Sequence, residues 1–105
     1  MKYFKMAVDK GHIDATYDYA LILFNEKNNE SSKYFKIAAK KGHVKSMVVY
    51  AIMLQNGDGV QLNIEESLKY FKLAADKGDL DAIYNYALIV KSKNERKESL
   101  KYFKI

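Results

Sequence analysis

The tetrapeptide Lys-Tyr-Phe-Lys occurs four times in this chain, at residues 2–5, 33–36, 69–72 and 101–104, at intervals of 31, 36 and 32 residues. Recurrence at about 33 residues is the mark of one small supersecondary unit used repeatedly, and such a unit buries its apolar face only by stacking on its neighbours. Two further markers keep the same register. Gly11, Gly42 and Gly78 form one set, and Tyr19-Ala20, Tyr50-Ala51 and Tyr86-Ala87 form the other; each is spaced by 31 and 36 residues.

Within a unit the tetrapeptide lies on an amphipathic helix, here termed helix B. In Ile64 to Lys77 the apolar residues Ile64, Leu68, Phe71, Ala74 and Ala75 fall at helical steps. Glu30, Glu66 and Glu98 stand at its start, where the helix dipole favours negative charge, and Lys33, Lys69 and Lys101 follow three residues later. It stops at the repeat glycine, which suits the left-handed position that closes many helices. A second helix, A, starts one residue further on. It carries small residues at Ala15, Ser46 and Ala82 and at Ala20, Ala51 and Ala87, where a neighbouring helix can approach closely.

The pattern predicts an all-α chain, an α-solenoid of antiparallel helix pairs in one domain spanning 1–105, with about three repeats and seven helices. A B helix at 1–10 belongs to a preceding partial repeat. Repeat 1 covers 13–41 (helices 13–25 and 30–41), repeat 2 covers 44–77 (helices 44–56 and 63–77), and the truncated repeat 3 covers 80–105 (helices 80–92 and 95–105).

A chain of 105 residues is long enough to bury roughly 65% of its unfolded surface. With 49% apolar and 30% charged residues it fits neither a disordered nor a membrane-embedded chain, and it lacks an apolar run of the length a spanning helix needs. The opening MKYFKMAVDK is not a secretory signal, because its apolar residues are interrupted by lysines. A soluble chain is expected, with the cytoplasm the favoured compartment. The absence of cysteine removes disulfides, thiolate nucleophiles and sulfur-ligated metals, and the absence of proline favours helix. The net charge of +5 is compatible with polyanion binding without requiring it.

The stretch Tyr50-Ala-Ile-Met-Leu-Gln-Asn-Gly-Asp-Gly-Val60, followed by Tyr70-Phe-Lys-Leu-Ala-Ala-Asp-Lys-Gly78 and Ala82, resembles the Sel-one-like repeat (SLR) family, relatives of the tetratricopeptide repeats. The likeness lies in helix A, a Gly-x-Gly-Val loop, an aromatic pair, Ala-Ala, a Gly and an Ala. It extends over nearly the whole chain, with two departures. Ala51 stands where the family usually has Gly, and the loop is shortened to Asn25–Asn29 and Ser92–Glu95 in the outer repeats. The resemblance implies stacked helix pairs whose A helices line a concave face, and a scaffold or adaptor that binds another protein or peptide.

On that reading the candidate binding residues are Tyr17, Asp18 and Leu21 from the first A helix, Lys45, Val48, Val49 and Ile52 from the second, and Tyr84, Asn85 and Leu88 from the third, with Asp14 and Asp81 also lying toward the groove. An apolar centre at Val48-Val49 flanked by aromatic and polar groups suits a peptide groove. The competing reading is that helix 44–56 is buried on both flanks.

The lysine pairs of the B helices form an alternative, a ladder able to track a polyanion or nucleic acid. A solvated helix face is the simpler account, since the intervening Tyr and Phe are needed for packing and cannot also stack on bases. His12 and His43 share a position with Asp79 just after the repeat glycine, so they belong to the turn; no metal or cofactor is expected. The loop Asn56-Gly-Asp-Gly-Val60 lacks the Lys-Ser/Thr of a phosphate cradle and the ordered acids of a calcium loop. Neither a nucleophile with a base in reach nor a pair of carboxylates in separate environments assembles, so an enzyme is not expected. Both ends of the chain fall inside B helices, which predicts exposed apolar surface there. Two expectations follow from it: membership of a longer array, or end-to-end association of copies.

Overall fold

The computed structural model describes the backbone of residues 2–103 and the side chains of residues 2–94. Its elements are α1 (Lys2–Asp9), α2 (Ile13–Asn25), α3 (Ser31–Lys40), α4 (Val44–Asn56), α5 (Ile64–Asp76) and α6 (Leu80–Phe103). Each helix packs chiefly on the next in sequence, which makes the stack of helix pairs that the repeat demands.

The turn from B to A is the most regular feature. At Gly11, Gly42 and Gly78 the backbone is left-handed, with φ of 85, 96 and 91°. The glycine N–H donates to the carbonyl three residues back, and the next N–H reaches the carbonyl five back: His12 to Ala7, His43 to Ala38, Asp79 to Ala74, at 3.0, 3.0 and 3.1 Å. Two of the orphan carbonyls at each helix end are thereby satisfied. The same residue then caps the next helix. His12 Nδ1 accepts from the Ala15 N–H at 3.0 Å, His43 Nδ1 from the Ser46 N–H at 3.2 Å, and Asp79 Oδ1 from the Ala82 N–H at 2.9 Å. One residue thus ends helix B and starts helix A, which fixes the angle between successive repeats.

The core runs along the stack between A and B helices. Phe35 and Phe71 are fully buried, as are Ala20, Ala38, Ala51, Ala74 and Ala82. Each phenylalanine contributes about 1.5–3 kcal/mol by burial. Across each complete pair two tyrosines meet edge to face, Tyr19 with Tyr34 at 4.9 Å and Tyr50 with Tyr70 at 5.2 Å between ring centres. Buried Ser67 sits beneath the second pair, and its Oγ donates to the Ala51 carbonyl at 2.7 Å. Ala51 lies in full contact at this crossing, so its methyl group fits where the family usually has none.

The third repeat departs from expectation. The repeat predicts separate helices at 80–92 and 95–105, but α6 is one helix of 24 residues, so the described residues hold six helices instead of seven. The first two repeats break their A helices at left-handed residues, Lys27 (φ 57°) and Gly57 (φ 69°). Ser92-Lys-Asn-Glu-Arg-Lys97 contains no glycine, and its Lys, Glu and Arg are good helix formers, so nothing local stops the helix. The side chains of the fourth Lys-Tyr-Phe-Lys, and residues 104 and 105 altogether, lie outside the described residues.

Candidate partner-binding face

The candidate residues divide between packing and exposure. Tyr17 of α2 is half-buried, its ring centre 4.7 Å from that of His43 and 5.9 Å from that of Phe35. It therefore joins α2 to α3 and to the start of α4. Asp14 reinforces this link, with Oδ1 3.4 Å from His43 Nε2. Leu21, Val48 and Val49 are half-buried and pack against the core. Lys45 and Asp18 are exposed, and Ile52 projects from the middle of α4. On α6 Tyr84 is 65% exposed and Leu88 is exposed, whereas Asn85 is half-buried and its Nδ2 donates to the Asp81 carbonyl at 2.9 Å.

These residues do not share one cavity. Asp18 and Asp14 rim a cleft of about 340 Å³ between α1 and α2, whose walls are Tyr3, Phe4, Ala7, His12 and Ala15. Leu88 lines a second cleft of about 290 Å³ with Gln55, Ile64, Ile89, Ser92 and Lys93. Sequence reasoning did not single out the first cleft. Its signal lay in the register: Tyr3 and Phe4 correspond to Tyr34-Phe35 and Tyr70-Phe71, yet Tyr3 is 78% exposed while Tyr34 and Tyr70 are buried.

The first lysine of the second and third tetrapeptides, and the last of the first, lie over aromatic rings. Lys33 Nζ is 5.4 Å from the centre of Tyr34 and Lys69 Nζ is 5.6 Å from that of Tyr70. Lys5 Nζ lies between Tyr19 and Tyr34, donates to the Tyr34 hydroxyl at 3.2 Å and is 3.7 Å from Asp9 Oδ1. The Tyr34 hydrogen bond, with Asp9 second, raises the pKa of its ammonium above the usual lysine range. Among the described residues there is no cluster of three metal-ligating side chains, and no helix is long and apolar enough to cross a membrane.

A line of helix pairs in one register, hinged at capped glycine turns, defines an α-solenoid of short helical repeats. The chain belongs to the Sel1 repeat family, whose model matches residues 1–12, 28–43 and 44–79, more than half of the sequence. Among solved structures it is similar to c5321, a protective antigen of uropathogenic Escherichia coli displaying an SLR fold, at 30% identity and a TM-score of 0.71. That match covers 75% of this chain and 18% of the antigen. It also shares its fold with a Sel1 repeat protein from Oxalobacter formigenes, at 23% identity and a TM-score of 0.67, over 77% of this chain and 35% of that one. The chain therefore spans well under half the length of either protein. No curated protein matches it. Sel1 repeats are, as a class, protein-interaction modules of a scaffold type.

Proposed function

We propose that the protein is a binding module that holds a segment of a partner protein on the face formed by α2, α4 and α6. The observation that carries this reading is Ile52, an apolar side chain left exposed at the centre of α4 beside half-buried Val48 and Val49. On this reading Tyr17 and Asp18 of α2 supply one flank of the face and Tyr84 and Asn85 of α6 the other. An apolar centre with aromatic and polar flanks gives a peptide both burial and fixed orientation.

The test is selection from a phage-displayed random peptide library, followed by titration of a selected peptide against Ile52→Asp. Ile52 is 38% exposed, so this variant keeps the wild-type helix signal at a modest cost in melting temperature while losing at least tenfold in affinity. A library that yields no binder, or a peptide held equally well by Ile52→Asp, overturns the groove. Val48→Asp with Val49→Asp serves as the control for packing, since both side chains contact the core.

The stack's two ends support a second property, association between copies. Tyr3, Phe4 and Met6 are exposed on α1, and Leu80, Ile83 and Tyr84 are exposed on α6. Apolar surface of this kind at both ends of a repeat array is what stacking of a further unit would cover.

A further inference from the structure

The two exposed ends are complementary in register: among the described residues, each bares a face of the kind the other would cover. Adding the repeat interval to the wall of the α1/α2 cleft identifies its counterpart one repeat on: Phe4 and His12 correspond to Phe35 and His43. In the inner junction that place is filled, because the Tyr17 ring packs against both Phe35 and His43. In the outer junction the same walls enclose an open cleft of about 340 Å³. Phe4 is consequently 39% exposed where Phe35 is fully covered.

The residue that corresponds to Tyr17 in the last A helix is Tyr84, and it is 65% exposed. A second pair matches in register, although Tyr86 is half-buried against the chain's own core. Tyr86 corresponds to Tyr19 and Tyr50, and Tyr3 corresponds to Tyr34 and Tyr70, the partners in the edge-to-face contacts of the two complete pairs. Ile83 and Ala87 are exposed, although their counterparts Met47 and Ala51 are buried beneath α5. So, among the described residues, α6 presents the A-helix face that a following B helix would cover, and α1 presents the B-helix face that a preceding A helix would cover.

We infer that α1 of a second copy docks on the exposed face of α6, with Tyr84 seated in the cleft of Phe4, Ala7 and His12 and Tyr86 set edge to face against the second copy's Tyr3. This rests on the reading that copies associate, and it fixes the occupant and the register of the contact. The contact repeats the interface that α2 already makes with α3 and with the start of α4, so no new packing solution is required. It joins unlike surfaces of identical chains, and such a contact does not close on itself. The product is an open head-to-tail series.

Sedimentation velocity on the 105-residue chain over a wide concentration range tests this. Tyr84→Asp spoils the knob and Tyr3→Asp spoils the rim of the cleft. Both side chains are exposed in the single chain, so circular dichroism should report an unchanged fold. The wild type is expected to form a concentration-dependent series beyond the dimer, and each variant alone to associate at least tenfold more weakly. An equimolar mixture of the two variants regains a dimer, because one intact knob meets one intact cleft, and stops there. Variants that associate as the wild type does would leave association standing and sink this register. A closed dimer that does not extend overturns the head-to-tail contact. A strict monomer, including one in which the chain's own C-terminal Lys-Tyr-Phe-Lys segment covers α6, removes both the contact and the association on which it rests.

Discussion

Phe4 and Phe71 occupy the same place in the same tetrapeptide, so truncating each to alanine separates the effect of sequence from that of surroundings. Phe71 is fully buried within the α4–α5–α6 packing, and removing its ring deletes the transfer contribution and leaves a cavity that neighbouring helices hold open. A loss of about 3–5 kcal/mol is expected for Phe71→Ala. Phe4 is 39% exposed, which leaves roughly three-fifths of a burial contribution of about 1.5–3 kcal/mol, and a side chain at the rim of an open cleft leaves no closed cavity behind. Phe4→Ala should therefore cost about 1–2 kcal/mol. Urea unfolding followed by far-ultraviolet circular dichroism resolves the two. At about 1–3 kcal/mol per molar urea, Phe71→Ala lowers the midpoint by roughly a molar or more, and Phe4→Ala by clearly less. Phe35→Ala, also at a fully covered position, should follow Phe71→Ala. The measurement belongs at a protein concentration low enough to keep chains single. Equal losses at positions 4 and 71 would refute the view that covering by neighbours, and not the repeat motif, sets the energy of each site.

Ser67→Ala removes the hydroxyl bonded to the Ala51 carbonyl but leaves that carbonyl its helical partner, so about 1 kcal/mol should be lost, read as a lower thermal midpoint. Burial first, and the nearby Glu66 carboxylate second, hold the pKa of Tyr50 and Tyr70 above the ordinary tyrosine value of 10.0. Below that value both states are neutral and nothing is lost; above it the unfolded chain gives up protons the folded chain keeps, so stability falls as pH rises. The Tyr50→Phe plus Tyr70→Phe variant should show a shallower alkaline loss in denaturant titrations. Gly42→Ala places a methyl group at φ 96° in open surroundings and should cost about 1–2 kcal/mol from the backbone alone. Gly57→Ala should cost more, because its new Cβ would lie 3.2 Å from the Cβ of Leu62, and chemical denaturation of the pair ranks them.

The repeat turns were legible because three markers coincided at one interval, and a glycine followed by a new helix has few structural solutions. What His12 and His43 do there was less legible. Histidine is not among the favoured capping residues, and only Asp79 at the third position hinted at a shared role in the cap. The continuity of α6 could not be read from the repeat, since register argued for a break that residues 92–97 do not encode. The repeat says where a B helix belongs; local propensity says whether the A helix stops. Among the binding candidates, Val48 and Val49 were ambiguous because an A helix meets neighbours on two flanks. Both turn partly inward, while Ile52, one turn from Val48, stays exposed.

Identical register with unequal exposure is what separates the interior of this stack from its ends. The knob position is held by Tyr17, Val48 and Tyr84, and the walls it meets are drawn from Phe4 with His12, Phe35 with His43 and Phe71 with Asp79. Tyr17 has its walls within the chain, whereas Tyr84 has none among the described residues. The side chain that would complete an end contact is also the one that would flank a peptide on α4. A copy seated on α6 would bury Tyr84 and shorten the binding face to α2 and α4, and a peptide held by Tyr84 would keep the next copy away. The two properties proposed for this molecule are therefore coupled through one side chain, and by linkage each must weaken the other to the same extent.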